Sequence, residues 1–321
     1  MKILLKYGRN VPKKYAGLWN ERNATNIRLL KAVPQHVTNR YDTEYLCAIT
    51  IGTSESQKNS QTFTVIPDTG SSTLWIPEKT AKIPNCPNIR KFDPSLSKTF
   101  VKKNYKLKEL YGDGSTAEGY YGSDTISIGD SRELKISNQQ FGLATSISLN
   151  NCELEGIFGL GFSNSLGIDS PLITAWKQNS LSQPIFTIWL SSENYYKDPN
   201  GLITYGGFDS EHCDSTITYH KLSSTLYWQF RIEGARINNK FYRFNAEAIS
   251  DTGTSFLYVS QSLADELVAN FGVIDKYCLL ALGTLVDNGY AQFFILGDPF
   301  IRQFCQVHDM ANERIGFARS L

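Results

Sequence analysis

Ile66-Pro67-Asp68-Thr69-Gly70-Ser71-Ser72-Thr73-Leu74-Trp75-Ile76-Pro77 aligns without a gap to Ile249-Ser250-Asp251-Thr252-Gly253-Thr254-Ser255-Phe256-Leu257-Tyr258-Val259-Ser260, with six of the twelve positions identical. In each copy an apolar run enters Asp-Thr-Gly and another leaves it, Leu74 to Ile76 in the first and Phe256 to Val259 in the second. A lone Asp-Thr-Gly is an ordinary turn. Two of them in matched apolar frames make an internal repeat, which predicts two similar lobes. A second element follows each copy, Gly156-Ile157-Phe158-Gly159-Leu160-Gly161 after the first and Phe294-Ile295-Leu296-Gly297-Asp298 after the second. Two apolar residues and a Gly suit a buried strand running close against another backbone.

The turn has the composition a water-activating carboxylate needs. Gly70 and Gly253 allow conformations closed to other residues, so that backbone N–H groups can point at the acids. The hydroxyls of Ser71 and Thr254 are placed to donate to the outer carboxylate oxygens, and Thr69 and Thr252 to bridge the two turns. Asp68 and Asp251 are therefore the candidate reacting pair.

The rest of the chain agrees with a mainly β protein. Its 321 residues include 24 Gly, 11 Pro and many short Thr-, Tyr-, Phe- and Ile-rich runs between turn residues. A 41% hydrophobic content is enough for a large core or two packed domains. No run approaches the roughly 20 apolar residues of a spanning helix, so no membrane partner is expected. Charge is uneven: residues 1–40 hold nine Lys or Arg against Glu21 alone, a net +8, leaving 23 basic and 30 acidic residues (32 − 9 and 31 − 1), or −7, beyond. An acidic body argues against nucleic acid as a partner. The basic segment reads as a solvated or nucleic-acid arm, or as a leader lying along an acidic cleft. Lys6, Arg9, Lys13 and Lys14 come too early for a signal peptide's apolar stretch, and Asn23-Ala24-Thr25 is a short glycosylation sequon. Six cysteines without a CxxC pair, and four histidines outside any HExxH, point to no metal and no cofactor; no Ser sits in G-x-S-x-G.

Both turn signatures, VIPDTGSSTLWIP and AISDTGTSFLYV, resemble those of the pepsin-like aspartic peptidases, and the similarity runs over nearly all of residues 38–321. Leu110-Tyr111-Gly112-Asp113-Gly114-Ser115-Thr116-Ala117-Glu118-Gly119 resembles the family's substrate-covering flap, with Tyr111 at its tip. Tyr41 to Tyr45, Ile51-Gly52-Thr53, Phe92 to Ser95, Tyr205 to Phe208 and Ile295 to Arg302 are similar as well. The last run, with Cys305 and with His212-Cys213, is most similar to the nematode branch.

The resemblance implies an all-β bilobal fold with a cleft between its lobes: a leader over 1–37, an N-terminal lobe over 38–185 and a C-terminal lobe over 186–321. It implies hydrolysis of peptide bonds at acidic pH by water activated between Asp68 and Asp251, with Tyr111, Gly112, Asp113 and Trp75 contacting substrate and Trp75 hydrogen-bonded to Tyr111. It implies polypeptide substrates, pepstatin-like inhibitors, a monomer, secretion or a lysosomal address, and a basic leader shed on acidification by a cut between Leu30 and Arg40, with Lys13 or Lys14 meeting the pair. Cys213 with Cys305 and Cys47 with Cys152 are the implied disulfides, leaving Cys86 and Cys278 unpaired.

One departure stands out. From Asp68 to Gly159 is 91 residues (159 − 68), from Asp251 to Gly297 only 46 (297 − 251), so the second lobe is expected to lack strands after Val273. A pepsin-like binding protein without activity, or an incomplete form of a longer enzyme, is the alternative that this shortening raises.

Overall fold

The structure, a computed structural model, describes residues 2–5, 31–53, 61–83, 86, 88–148, 152–192, 200–271, 281–284 and 293–321. The strands of the first half are β1 (Lys2–Leu5), β2 (Val33–His36), β3 (Thr38–Arg40), β4 (Glu44–Ile51), β5 (Gln61–Asp68) and β6 (Leu74–Lys82). They continue with β7 (Val101–Leu110), β8 (Thr116–Ile128), β9 (Leu134–Ser148) and β10 (Ile157–Gly159), followed by helix α1 (Pro171–Lys177). The second half holds β11 (Ile185–Leu190), β12 (Gly201–Tyr205), β13 (Thr218–Lys221), β14 (Gln229–Ile237), β15 (Lys240–Ser250) and β16 (Leu257–Val259). Helix α2 (Gln261–Phe271), β17 (Leu282–Thr284), β18 (Phe293–Leu296), α3 (Asp298–Ile301), β19 (Phe304–Asp309) and β20 (Arg314–Arg319) complete it.

Among the described residues these strands build three sheets. Eight strands of the first half run in the order β3-β4-β5-β10-β6-β9-β8-β7. A six-stranded sheet of the second half runs β1-β14-β15-β18-β16-β17, and a third, β13-β20-β19-β11-β12-β2, joins the two. The repeat is visible in the pairing. In the first half β5 is parallel to β10, which is antiparallel to β6; in the second, β15 is parallel to β18, which is antiparallel to β16. Register brings Gly159 opposite Asp68 and Leu296 opposite Ser250, so a glycine flanks each acid. A Cβ on Gly159 would meet the Thr73 nitrogen at 2.5 Å, and one on Gly297 the Thr254 carbonyl at 2.1 Å. Only glycine lets these backbones approach so closely.

Pro67 shows how a proline is tolerated beside the first acid. Its neighbours carry the ladder, with Ile66 N–H donating to Gly156 at 3.2 Å and Leu160 N–H to the Asp68 carbonyl at 2.7 Å, so position 67 needs no donor there. The Pro67 carbonyl instead accepts from Thr252 Oγ1 of the other half at 2.6 Å.

The large apolar cluster is continuous across the halves and includes Phe63, Phe158, Trp176, Phe186, Trp228 and Phe294. Trp228 is fully buried, packs at a tilt against Phe162 with ring centroids 4.6 Å apart and donates Nε1–H to the Leu160 carbonyl at 3.0 Å, tying the entry to β14 to the exit from β10. An aromatic residue of this kind contributes roughly 2 kcal/mol or more through its apolar area alone.

Cys213 and Cys305 are bridged, with Cα atoms 5.8 Å apart. The pairing of Cys47 with Cys152 is not what forms: Cys152 joins Cys86, Cα atoms 5.2 Å apart. Cys47 points from β4 into the core opposite Val65, where it stays a buried free thiol. Cys86 lies instead on the loop after β6, next to the loop that enters β10. Cys278 lies outside the described residues, as do Lys13, Lys14, the sequon and part of the segment after Val273. The short stretch Lys2–Leu5 adds as an antiparallel edge strand to β14.

Candidate active site

Each acid sits where a strand ends in its turn: β5 stops at Asp68, and β15 stops one residue before Asp251. Gly70 N–H donates to Asp68 Oδ1 at 2.8 Å and Ser71 Oγ to Oδ2 at 2.5 Å. The second turn repeats this arrangement, with Gly253 N–H on Asp251 Oδ1 at 2.9 Å and Thr254 Oγ1 on Oδ2 at 2.6 Å. Both carboxyls are thus aimed by one backbone donor and one hydroxyl, and both are buried, at 5% and 9% exposure.

The turns hold one another through a reciprocal set of bonds. Thr69 N–H donates to Thr252 Oγ1 and Thr252 N–H to Thr69 Oγ1, both at 3.0 Å. Each hydroxyl then donates to a carbonyl of the opposite half, Thr69 to Ser250 at 2.9 Å and Thr252 to Pro67 at 2.6 Å. Every donor and acceptor in this buried clasp is satisfied, which makes the spacing of the two acids a fixed quantity.

Glycine is required at both turns for a further reason. A Cβ on Gly70 would lie 2.4 Å from Asp251 Cγ, and one on Gly253 would lie 2.5 Å from Asp68 Oδ1. Each turn therefore roofs the acid of the other. Gly253→Ala is expected to push the acids out of alignment and lower kcat on a peptide substrate by roughly a hundredfold; steady-state kinetics beside a thermal melt separates this from simple unfolding.

Burial, then the negative charge of Asp251, holds the Asp68 carboxyl well above the ordinary carboxylate range, against the opposing bonds from Ser71 and Gly70. Two acids this close share a proton more cheaply than they both ionise. A third acid, Asp298, was not singled out by sequence reasoning. It follows Gly297 at the position where the first copy has Leu160 after Gly159, and both residues are completely buried. Among the described residues neither Asp298 carboxyl oxygen meets a hydrogen-bond partner, while its N–H donates to the Thr254 carbonyl at 3.0 Å. Burial pushes its carboxyl up to about 8; Arg302 opposes this, and Asp251, Asp42 and Glu44 add to it. The mismatch of Leu160 with Asp298 in the repeat is the sequence signal that could have found it.

β7 and β8 form a hairpin closed by Tyr111 N–H on the Ser115 carbonyl and Gly114 N–H on the Tyr111 carbonyl, both at 3.0 Å. Tyr111 opens the turn, and Gly112, Asp113 and Gly114 form its exposed apex, so Tyr111 is at the base of the tip. The tyrosine turns inward, where Trp75 Nε1 donates to its Oη at 2.5 Å. Asp113 folds back to accept from Ser115 N–H at 2.9 Å and Ser115 Oγ at 2.6 Å. Among the described residues no group of three His, Cys, Asp or Glu is placed to hold a metal ion.

A sequence profile for the eukaryotic aspartyl protease family matches residues 44–277 and 271–320. The chain is 36% identical to aspartic protease 6 of Caenorhabditis elegans, over 93% of this chain and 87% of that protein. It is 30% identical to aspartic protease 2 of Necator americanus, over 94% and 91% respectively. Against pepsin A of Gallus gallus the identity is 30%, over 88% and 86%.

Proposed function

The chain belongs to the eukaryotic aspartyl proteases and is an aspartic endopeptidase acting on polypeptides, and from that premise we propose that Asp68 and Asp251 are its catalytic pair. The observation that carries the assignment is the reciprocal Thr69–Thr252 clasp, which sets two buried carboxyls against each other from opposite halves of the chain. With one proton shared, the charged member takes a proton from a water held between them while the protonated member donates to the scissile carbonyl oxygen. Water attacks the carbonyl carbon, the C–N bond breaks, and the proton accepted by the pair passes to the leaving amine. The raised Asp68 carboxyl keeps the shared proton in place over a wider acid range than a free carboxyl would.

Tyr111, Gly112 and Asp113 on the hairpin, with Trp75 fixing Tyr111, cover the substrate in this reading. A peptide carrying a tetrahedral hydroxyl in place of the scissile carbonyl, as pepstatin does, is the matching inhibitor. The enzyme works as a monomer of two lobes, 38–185 and 186–321, behind a basic leader over 1–37 that acid releases. Its two disulfides fit a secretory or lysosomal compartment, and no helix among the described residues is long and apolar enough to cross a membrane. The paired, fully hydrogen-bonded acids give no support to the alternative of an inactive binding protein. Cleavage of an unfolded protein substrate at acidic pH, blocked by pepstatin, tests the reading; a purified chain that cuts nothing between pH 3 and 7 would sink it.

A further inference from the structure

Leu107 and Glu109 alternate along the end of β7, with Tyr111 just beyond it, and lie on its inward side, while Lys106, Lys108 and Leu110 are exposed. Leu107 is buried at 2% exposure in the cluster that contains Trp75, and Tyr111 packs against the same cluster. That row calls for an apolar residue at 109. It holds a half-buried acid instead, whose carboxyl has the Thr73 hydroxyl beside it and lies close enough to Tyr111 and Tyr121 to act on both. Thr73 follows the first catalytic turn, and Asn164 Nδ2 braces it, donating to Thr73 Oγ1 at 3.2 Å and to Tyr121 Oη at 2.9 Å.

Several poorly exposed carboxylates have cations: Glu155 pairs with Arg90 at 2.6 Å, Glu247 with Arg231 at 2.8 Å and Asp309 with Arg314 at 2.6 Å, while Glu78 and Asp124 are held by threonine hydroxyls and backbone N–H groups. Glu109 has no cationic partner among the described residues, and nothing but Thr73 offsets its desolvation. Holding a carboxylate inward with so little to compensate it costs desolvation energy that an outward rotamer would avoid. An acid kept inward, unpaired and on the substrate-covering hairpin is suited to a charge that arrives with the substrate.

We propose that Glu109 is a specificity-determining residue, whose carboxylate receives the ammonium or guanidinium group of a Lys or Arg side chain in the polypeptide substrate. The inference rests on the peptidase reading above and names a preference within it. Toward neutral pH the net −7 of the body beyond residue 40 attracts such substrates. Burial raises the Glu109 carboxyl, the neighbouring Thr73 hydroxyl opposes this, and the other titratable groups that face it are the phenols of Tyr111 and Tyr121. The preference for a basic side chain accordingly fades as pH falls below that raised value and Glu109 becomes neutral, and it grows as pH rises through it.

The test uses the acid-activated full enzyme and short fluorogenic peptides with a fixed Phe-Phe scissile pair, in which Lys or Gln is placed in turn at each flanking position. At one position Lys is expected to exceed Gln by about tenfold in kcat/KM, carried mainly by KM. Glu109→Gln is expected to bring that ratio to about one while keeping turnover of the Gln peptide. In the wild type the ratio is expected to decline as pH is lowered, a readout that needs no variant to fold. No preference at any position, a preference that survives Glu109→Gln, one that is lost in Asp113→Asn instead, or a wild-type ratio that is flat or rises toward acid pH would each overturn the proposal alone. A wild type that cuts none of the peptides overturns it together with the peptidase reading.

Discussion

Asp68→Asn is expected to lower kcat on a peptide substrate at acidic pH by roughly a thousandfold or more, with the fold retained. Asparagine keeps an oxygen for the Gly70 N–H, and the Ser71 hydroxyl can rotate to accept from the new amide N–H, so the turn has no reason to reorganise. What it removes is a group that can be either charged or protonated, and water activation requires both states within the pair. Asp251→Asn is expected to match it. Changing both is expected to cost little more than either change alone, because residues that act as one unit lose their function with the first removal. Single-turnover kinetics on the two single variants and the double variant reads all three values. An Asn variant that keeps more than a tenth of wild-type turnover, with contaminating peptidase excluded by pepstatin titration of the wild type, would end the assignment.

Asp298→Asn is expected to make the protein more resistant to unfolding at neutral pH, by an amount that grows from near zero at pH 4 to several kcal/mol at pH 7.5. The direction follows from linkage. In the fold the Asp298 carboxyl is pushed up to about 8 from an ordinary value of 3.8, so between those values the unfolded chain gives up a proton that the native protein keeps. Stability therefore falls as pH rises through that window, by about 1.4 kcal/mol per unit and on the order of 5 kcal/mol in all. Asparagine fills the same space without a proton to lose. Denaturant melts of both proteins at several pH values supply the difference directly, and a gap that is constant with pH would refute the account. Asp68 is raised in the same direction, so the Asp298→Asn variant still loses some stability toward neutrality.

Much of the site was legible because the turn is local and repeated. The frames around Asp68 and Asp251, the roles open to Thr69, Thr252, Ser71 and Thr254, and the strand and glycine that follow each copy could be read from one alignment of the chain with itself. The β-rich composition gave the fold class for the same reason, since strand preference is written residue by residue. What escaped depends on which segments meet. Cys152 pairs with Cys86 because two loops converge beside β10, a closeness that spacing along the chain does not encode. Glu109 carries no motif, and although Asp298 closes the recurring element, the depth and missing partners that give both their interest are revealed only by packing. The 45-residue difference between the halves (91 − 46) is legible in the sequence, yet the strands around the second acid, β15, β18 and β16, repeat those around the first.

The crossed hydroxyls of Thr69 and Thr252 mean that reactivity belongs to no fragment. A half-molecule released by incomplete synthesis or by digestion would carry one acid with its neighbour's roof and latch both gone, leaving nothing to hold a lytic water. Dangerous chemistry is thereby withheld from debris and granted only to the assembled whole.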